Sequence, residues 1–216
     1  MTDIVVYGIP GSPFLRSVLT LLEEKGAAYR LRPLAPGEHK GADYLRRHPF
    51  GRVPAIEHDG FALYETQAIL RYVEDVFPEP RLIPEAPKAA ARMNQIMGIN
   101  DWYFFPKVAA AIVFHRIIGP VLLGTSPDEA AIAEALPMGR TCIAELERLL
   151  GDRQFLAGDA LSLADILLAP QLDLFAATPE GRLMLAGTRL EAWLARMNAR
   201  PAMIATRPPE ALLKAA

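Results

Sequence analysis

The stretch YGIPGSPFLRSVLTLLEEKG, Tyr7 to Gly26, joins the end of an apolar strand to a helix through a Gly/Pro turn. Ser12 stands at the helix start, where a hydroxyl can accept from an orphan N–H, and Pro13 has its φ already set for the first helical position. Val18, Leu21 and Leu22 fall on one face at helical spacing, and Gly26 supplies a stop. IVVY, ending at Tyr7, reads as a short apolar strand. A strand feeding a helix in this way predicts an α/β layer, and the next residues extend it.

AYRLRPL, Ala28 to Leu34, alternates apolar and charged residues and predicts a half-buried strand. VPAIEHDGFALY predicts a hairpin turning at Asp59-Gly60, residues that suit positive φ angles. TQAILRYVEDVF predicts a helix with Ile69, Tyr72, Val73 and Val76 on its buried face. The order β-α-β, hairpin, helix makes residues 1–79 a small α/β domain. FPEPRLIPEAP is Pro-rich and aperiodic, and residues 80–87 are its linker portion.

From Lys88 onward no strand is predicted, so residues 88–216 form an all-helical domain. Its helical segments run from Lys88 to Ile118, Pro127 to Leu150, Leu163 to Ala176 and Arg189 to Asn198. Pro106, Pro137 and Pro170 lie inside three of them and are expected to kink or divide them. One helix start is specified in full: Ser162 caps, Asp165 reaches back to its N–H, and Leu161 packs on Ile166 as a staple.

Composition narrows the classes of function. Of 216 residues, 51% are apolar and 22% charged, as in soluble globular proteins. A net charge of −2 gives no basic surface for nucleic acid or an anionic membrane. The lone cysteine, Cys142, excludes internal disulfides and a CxxC redox pair. No metal site is expected. The beginning, MTDIVVYG, has no export pattern. ALSLADILLAPQLDLFAA carries two Asp and one Pro and is too interrupted for a bilayer. A cytoplasmic location is expected.

Four pieces of the first half are candidates for one site: Ser12, the loop Glu38-His39-Lys40, HPFGRVPAI with Val53-Pro54 opening a strand, and Tyr64-Glu65-Thr66 at a helix start. Each taken alone has a plainer account. The loop charges can be solvated, Pro54 can be an edge proline, Thr66 can cap, and Glu65 can complement the helix dipole.

Taken in order, YGIPGSP, EHKGADYLRRHPFGRVPAIEHDG and FALYETQAILRYV resemble the glutathione-binding domain of cytosolic glutathione transferases, with the phi class closest because it uses a Ser at this helix start. SLADI resembles the capping motif of the family's C-terminal domain. The resemblance implies a thioredoxin-like domain followed by an all-helical one, a homodimer, and glutathione as co-substrate. It implies that Ser12 donates to the glutathione thiolate. It implies that His39 and Lys40 hold the glycyl carboxylate, and that Val53, before a cis Pro54, pairs with the cysteinyl backbone. Glu65 would take the γ-glutamyl ammonium, and Thr66 with nearby N–H groups its carboxylate. Phe50 would anchor the partner subunit.

Three positions depart from the family pattern. Thr66 stands where Ser is usual, Arg52 replaces a Gln that contacts the tripeptide, and His48 replaces an Asn, with little effect on binding expected. Arg52 could still attract a carboxylate.

The implied reaction is attack of the thiolate on a small hydrophobic electrophile, in the manner of a detoxification enzyme, with glutathione-dependent peroxide reduction as a further activity. Phe14, Tyr103, Phe104, Phe114 and His115 are candidate linings of the electrophile pocket, with no catalytic part for His115. These aromatics read equally as helix-packing residues. Ser17 and Tyr7 are the next candidates for the thiolate donor. The second reading is a non-catalytic relative that keeps the fold for binding. A glutaredoxin-like or omega-type reductase needs a Cys where Ser12 stands.

Overall fold

The computed structural model describes residues 4–35 and 37–210. Residues 211–216, assigned above to the helical domain, lie outside that description, as do residues 1–3 and Pro36. Two compact units result, one holding the chain up to Arg81 together with Pro201–Pro208, the other beginning at Leu82 and running to Arg200.

The first unit is a four-stranded sheet in the order β2-β1-β3-β4, with β1 Ile4–Gly8, β2 Tyr29–Pro33, β3 Ala55–His58 and β4 Phe61–Tyr64. β1 pairs parallel with β2 and antiparallel with β3, and β3 pairs antiparallel with β4. Asp59 and Gly60 have φ of 50° and 79°, as the two-residue hairpin requires.

Alternation along β1 sends Ile4 and Val6 into the core with α1, Pro13–Glu24. Tyr7 points the other way, toward a cluster of Leu34, Tyr44 and Ala55. Tyr44 belongs to the short helix α2, Ala42–Leu45, for which the sequence carries no periodic signal.

Two expectations change here. β2 forms, but it is an outer strand with one neighbour and is not half-buried; Leu31 is 36% exposed. On α3, Thr66–Val76, the fully buried apolar residues are Ile69, Leu70 and Val73, while Tyr72 and Val76 are only partly covered. The face is rotated because Glu74 is also buried, in an ion pair with Lys25 Nζ at 2.5 Å.

The second unit is helical: α4 Pro87–Ile99, α5 Ala110–Val113, α6 Glu129–Leu150, α7 Leu163–Ala176, α8 Pro179–Leu185 and α9 Arg189–Asn198. Wide π-type turns occupy Asn100–Ala109 and Phe114–Leu123, around Pro106 and Pro120. A wide turn relieves the clash between a proline ring and the carbonyl one turn back. Pro137 and Pro170 divide nothing, since α6 and α7 run through them. The run from Pro87 to Leu123 is long and apolar enough to cross a bilayer by length and composition. Of its apolar residues, Met93, Ile96, Phe104, Val108 and Ile112 are buried in this fold, while Trp102, Leu122 and Leu123 are exposed.

The predicted helix start at Ser162 is present and serves more than capping. Asp165 accepts from Ser162 N at 3.0 Å and Ser162 Oγ at 2.7 Å. It also accepts from Leu156 N and from Trp193 Nε1, each at 2.9 Å. One buried carboxylate thereby ties together a loop, the start of α7 and α9.

The last helix, α10 Pro201–Ala205, falls in the stretch assigned to the helical domain but groups with the first unit. Arg16, Ser17 and Thr20 of α1 are buried polar residues. Arg16 Nη2 donates to Met203 O at 3.1 Å, and the Thr20 and Thr206 hydroxyls share a hydrogen bond at 2.9 Å. Buried polar groups require such partners, and Pro201–Pro208 supplies them to Arg16 and Thr20.

Candidate active site

The sheet register brings the four candidate pieces to one end of the first unit. Gly8 lies beside Pro33, Tyr7 beside Ala55, and Ala55 beside Tyr64. The turn after β1, the loop after β2, the approach to β3 and the exit from β4 therefore share one end of the sheet. In open α/β sheets the carboxyl ends of the strands are where ligands bind.

Ser12 is the N-cap of α1, and its Oγ accepts from Leu15 N at 3.3 Å. It is half-buried, and among the described residues its hydroxyl proton has no acceptor. The other two candidate donors are committed. Ser17 is fully buried and donates to Pro13 O at 3.0 Å. Tyr7 donates to Glu57 Oε2 at 3.5 Å, and its ring lies under the Arg47 guanidinium at 4.7 Å.

Glu38–Lys40 is a single 3-10 turn. His39 is half-buried, and burial followed by the charge of Lys40 lowers its pKa below the ordinary value. It is a neutral donor at neutral pH. Lys40 Nζ donates to Gly51 O at 2.7 Å, which leaves two of its three ammonium protons for a ligand. Gly51 has φ +56°, and a Cβ there would lie 3.0 Å from His39 O and 3.0 Å from Lys40 Cδ. Gly51→Ala is expected to cost about 1–3 kcal/mol, read by urea denaturation. An unchanged midpoint would show that the turn does not need a glycine there.

Tyr44 Oη donates to Arg52 O at 2.8 Å, and burial pushes that hydroxyl up to about 12. This bond fixes the backbone just before Val53, whose bond to Pro54 is cis, as the resemblance implies. A second cis bond, Glu79–Pro80, has no signal in the sequence. The Arg52 side chain is exposed.

Glu65 has φ 70° and ψ 115°, and with Asp59 it is one of two non-glycine residues at positive φ among the described residues. Asp59 is accounted for by its turn. Glu65 has no turn to serve, and backbone strain of this kind concentrates at binding sites. Its carboxylate is exposed and makes no hydrogen bond or ion pair among the described residues. Thr66 is the first helical residue, not the cap, because Glu65 occupies the cap position. It is 9% exposed.

Phe50 is 68% exposed, with its ring edge-on to His48 and Tyr64. Phe14 is half-buried in the first turn of α1. In the second unit Tyr103 is about half exposed, with Lys107 Nζ 5.5 Å from its ring centroid, and Phe114 is exposed. Phe104 is corrected: it is completely buried, edge-on to Phe175, and belongs to the helical core instead of a pocket wall. His115 Nδ1 accepts from Asp128 N at 3.3 Å and so serves the start of α6. Cys142 is a buried helix residue, its thiol pKa raised by burial.

A thioredoxin-like sheet with a hydroxyl at the first helix start and a cis-Pro loop, in a chain that continues into a helical unit, defines the glutathione transferase fold. Two family models agree: "Glutathione S-transferase, N-terminal domain" matches residues 2–75, and "Glutathione S-transferase, C-terminal domain" matches residues 129–196. The chain belongs to the glutathione S-transferase family and is a transferase. Glutathione S-transferase 3 of Zea mays is 33% identical over 208 residues, 94% of this chain and 92% of that protein. Glutathione transferase F7 from Populus trichocarpa superposes with a TM-score of 0.85 at 32% identity, covering 94% of this chain and 97% of that one. Maize glutathione S-transferase I, solved with an atrazine–glutathione conjugate, gives 0.83 at 30% identity over 99% of both chains. The plant F-type relatives place the likeness in the phi class.

Proposed function

We propose that this enzyme binds glutathione at the end of the sheet described above, with Ser12 donating to the thiolate, and transfers the peptide to a small hydrophobic electrophile. The uncommitted hydroxyl proton of Ser12 carries the reading. Its oxygen caps α1 while its proton is available to an anion, and an ionised Asp could do only the first. His39 and Lys40 offer two donors to the glycyl carboxylate. Val53 offers its backbone to the extended peptide, as a strand edge does. Glu65 receives the γ-glutamyl ammonium, and the N-terminus of α3 with Thr66 receives the neighbouring carboxylate. The exposed Arg52 guanidinium adds attraction for an anionic peptide.

The electrophile class is read from the exposed aromatic rings of Tyr103 and Phe114 in the helical unit. The test is retention on immobilised glutathione, followed by conjugation of chlorodinitrobenzene by the wild type and Ser12→Ala. Retained binding with an altered rate–pH profile is expected. Identical profiles would hand the role of Ser12 to another donor. Cumene hydroperoxide is the second substrate to assay, for peroxide reduction by the same thiolate.

A two-fold homodimer is part of the proposal, with Phe50 as its anchor. An exposed phenyl ring steadied by two ring neighbours is the kind of group that fills a partner's pocket. Truncating such an anchor costs about 2 kcal/mol, roughly thirtyfold in dimer affinity. Gel filtration at micromolar concentration is expected to show a dimer for the wild type and a shift toward monomer for Phe50→Ala. A monomeric wild type would end this part of the proposal.

A further inference from the structure

His48 was expected to stand in for an Asn with little consequence, and its surroundings argue otherwise. The residue is 2% exposed. Its main chain is held at both ends, since His48 N donates to Tyr44 O at 3.0 Å and His48 O accepts from Gly51 N at 2.8 Å. Its ring lies 4.6 Å from that of Tyr64, 6.4 Å from Tyr44 and 6.2 Å from Phe50. Nδ1 is buried, with no hydrogen-bond partner among the described residues. The charged groups whose fields reach the ring are those of Glu65 at the start of α3, Arg52 before β3 and Lys40 of the 3-10 turn. All three are residues of the proposed glutathione site.

We propose that His48 is a positioning residue of the glutathione site that serves it as a neutral imidazole, so that protonation of His48 and seating of an ammonium group on Glu65 oppose each other. This rests on the reading of Glu65 as the ammonium acceptor. An imidazolium needs an acceptor for each N–H, and Nδ1 has no partner outside its own residue. Burial lowers the His48 pKa most. Of its charged neighbours Glu65 raises it, while Arg52 and Lys40 lower it; its own backbone carbonyl also raises it. Below the ordinary histidine range, then, Glu65 is the counter-charge that lets a proton on.

A ligand ammonium paired with Glu65 cancels that counter-charge and drives the proton off. Linkage makes the effect reciprocal: the protonated protein binds the peptide more weakly by the factor through which the peptide disfavours the proton. The sign follows from the lowered pKa. Affinity is complete above the ordinary histidine range and is lost as pH falls below it.

The probe is S-hexylglutathione, whose capped sulfur cannot titrate. Calorimetry at pH 7.5 and 5.0 is expected to show wild-type affinity falling about fivefold more than that of His48→Asn, the low end of typical coupling between sites. Saturating the wild type with the probe is expected to move the NMR titration midpoint of the His48 Cε1–H to lower pH, a measurement that stands even if the variant fails to fold. Equal pH ratios in the two proteins, or an unmoved midpoint, would overturn the proposal. Glu65→Gln separates the two failures. If it leaves probe affinity at pH 7.5 unchanged, the reading of Glu65 is wrong; if it weakens affinity while the midpoint stays put, only the role of His48 is lost.

Discussion

Replacing Ser12 with alanine is expected to move the pKa of bound glutathione up by one to two units, toward the free-thiol value of about 8.5. The physical ground is the energy of a hydrogen bond to a charged group, about 1.5–3 kcal/mol, set against about 1.4 kcal/mol per pKa unit. With a shift of about two units, the thiolate fraction at pH 7 falls roughly 25-fold. Each remaining thiolate is more nucleophilic, by about eightfold on an exponent of about 0.45. The net loss at pH 7 is then only about threefold, rising to about tenfold at pH 6.

Between the two pKa values the sign reverses. The variant's more basic thiolate outruns the wild type, and the two rate–pH profiles cross near about pH 7.6. Thiolate absorbance of the bound peptide measures the shift directly, and the profile of kcat/KM with chlorodinitrobenzene measures its consequence. An unmoved absorbance midpoint would show that Ser12 does not face the sulfur. The modest size of the ionisation effect also assigns most of any rate enhancement to holding the electrophile against the thiolate.

The second large effect concerns stability. Asp165→Ala is expected to remove at least about 4 kcal/mol, a large share of the 5–15 kcal/mol that stabilises a typical domain. Alanine leaves Leu156 N, Ser162 N and Trp193 Nε1 without their shared acceptor, in a place where Asp165 itself is 0% exposed. Each unsatisfied buried donor costs about 1–3 kcal/mol. Trp193→Phe withdraws one donor together with its need for a partner, and its loss is expected to be smaller. Urea denaturation followed by far-UV circular dichroism ranks the two variants. A loss under about 1 kcal/mol for Asp165→Ala would mean that the carboxylate is not the tie described.

The two residues differ in how far the sequence announced them. Ser12 was legible because cap, proline and helix period sit within a few residues, and local hydrogen bonding decides all three. Asp165 was legible only as half of a capping box. Its bonds to Leu156, nine residues before it, and Trp193, 28 residues after it, depend on where three separate segments meet. Phe104 shows the same limit from the other direction: DWYFFP offers four adjacent aromatic or apolar side chains, and only packing tells that Phe104 points into the core while Trp102 and Tyr103 stay exposed.

By itself the sequence determined the order of the four strands with α1 and α3 in the first unit, the hairpin at Asp59-Gly60, the helix starts at Ser12 and Ser162, and the family. Each of these is written in periodicity, turn chemistry or motif spacing, which act over a few residues. Tertiary structure decided that Pro201–Pro208 returns to cover Arg16 and Thr20, that β2 is left uncovered, that Glu65 sits at positive φ, and that His48 is shut among Tyr44, Tyr64 and Phe50. Burial of a polar side chain is set by segments distant in the chain, and no local pattern records which segment will arrive to cover it.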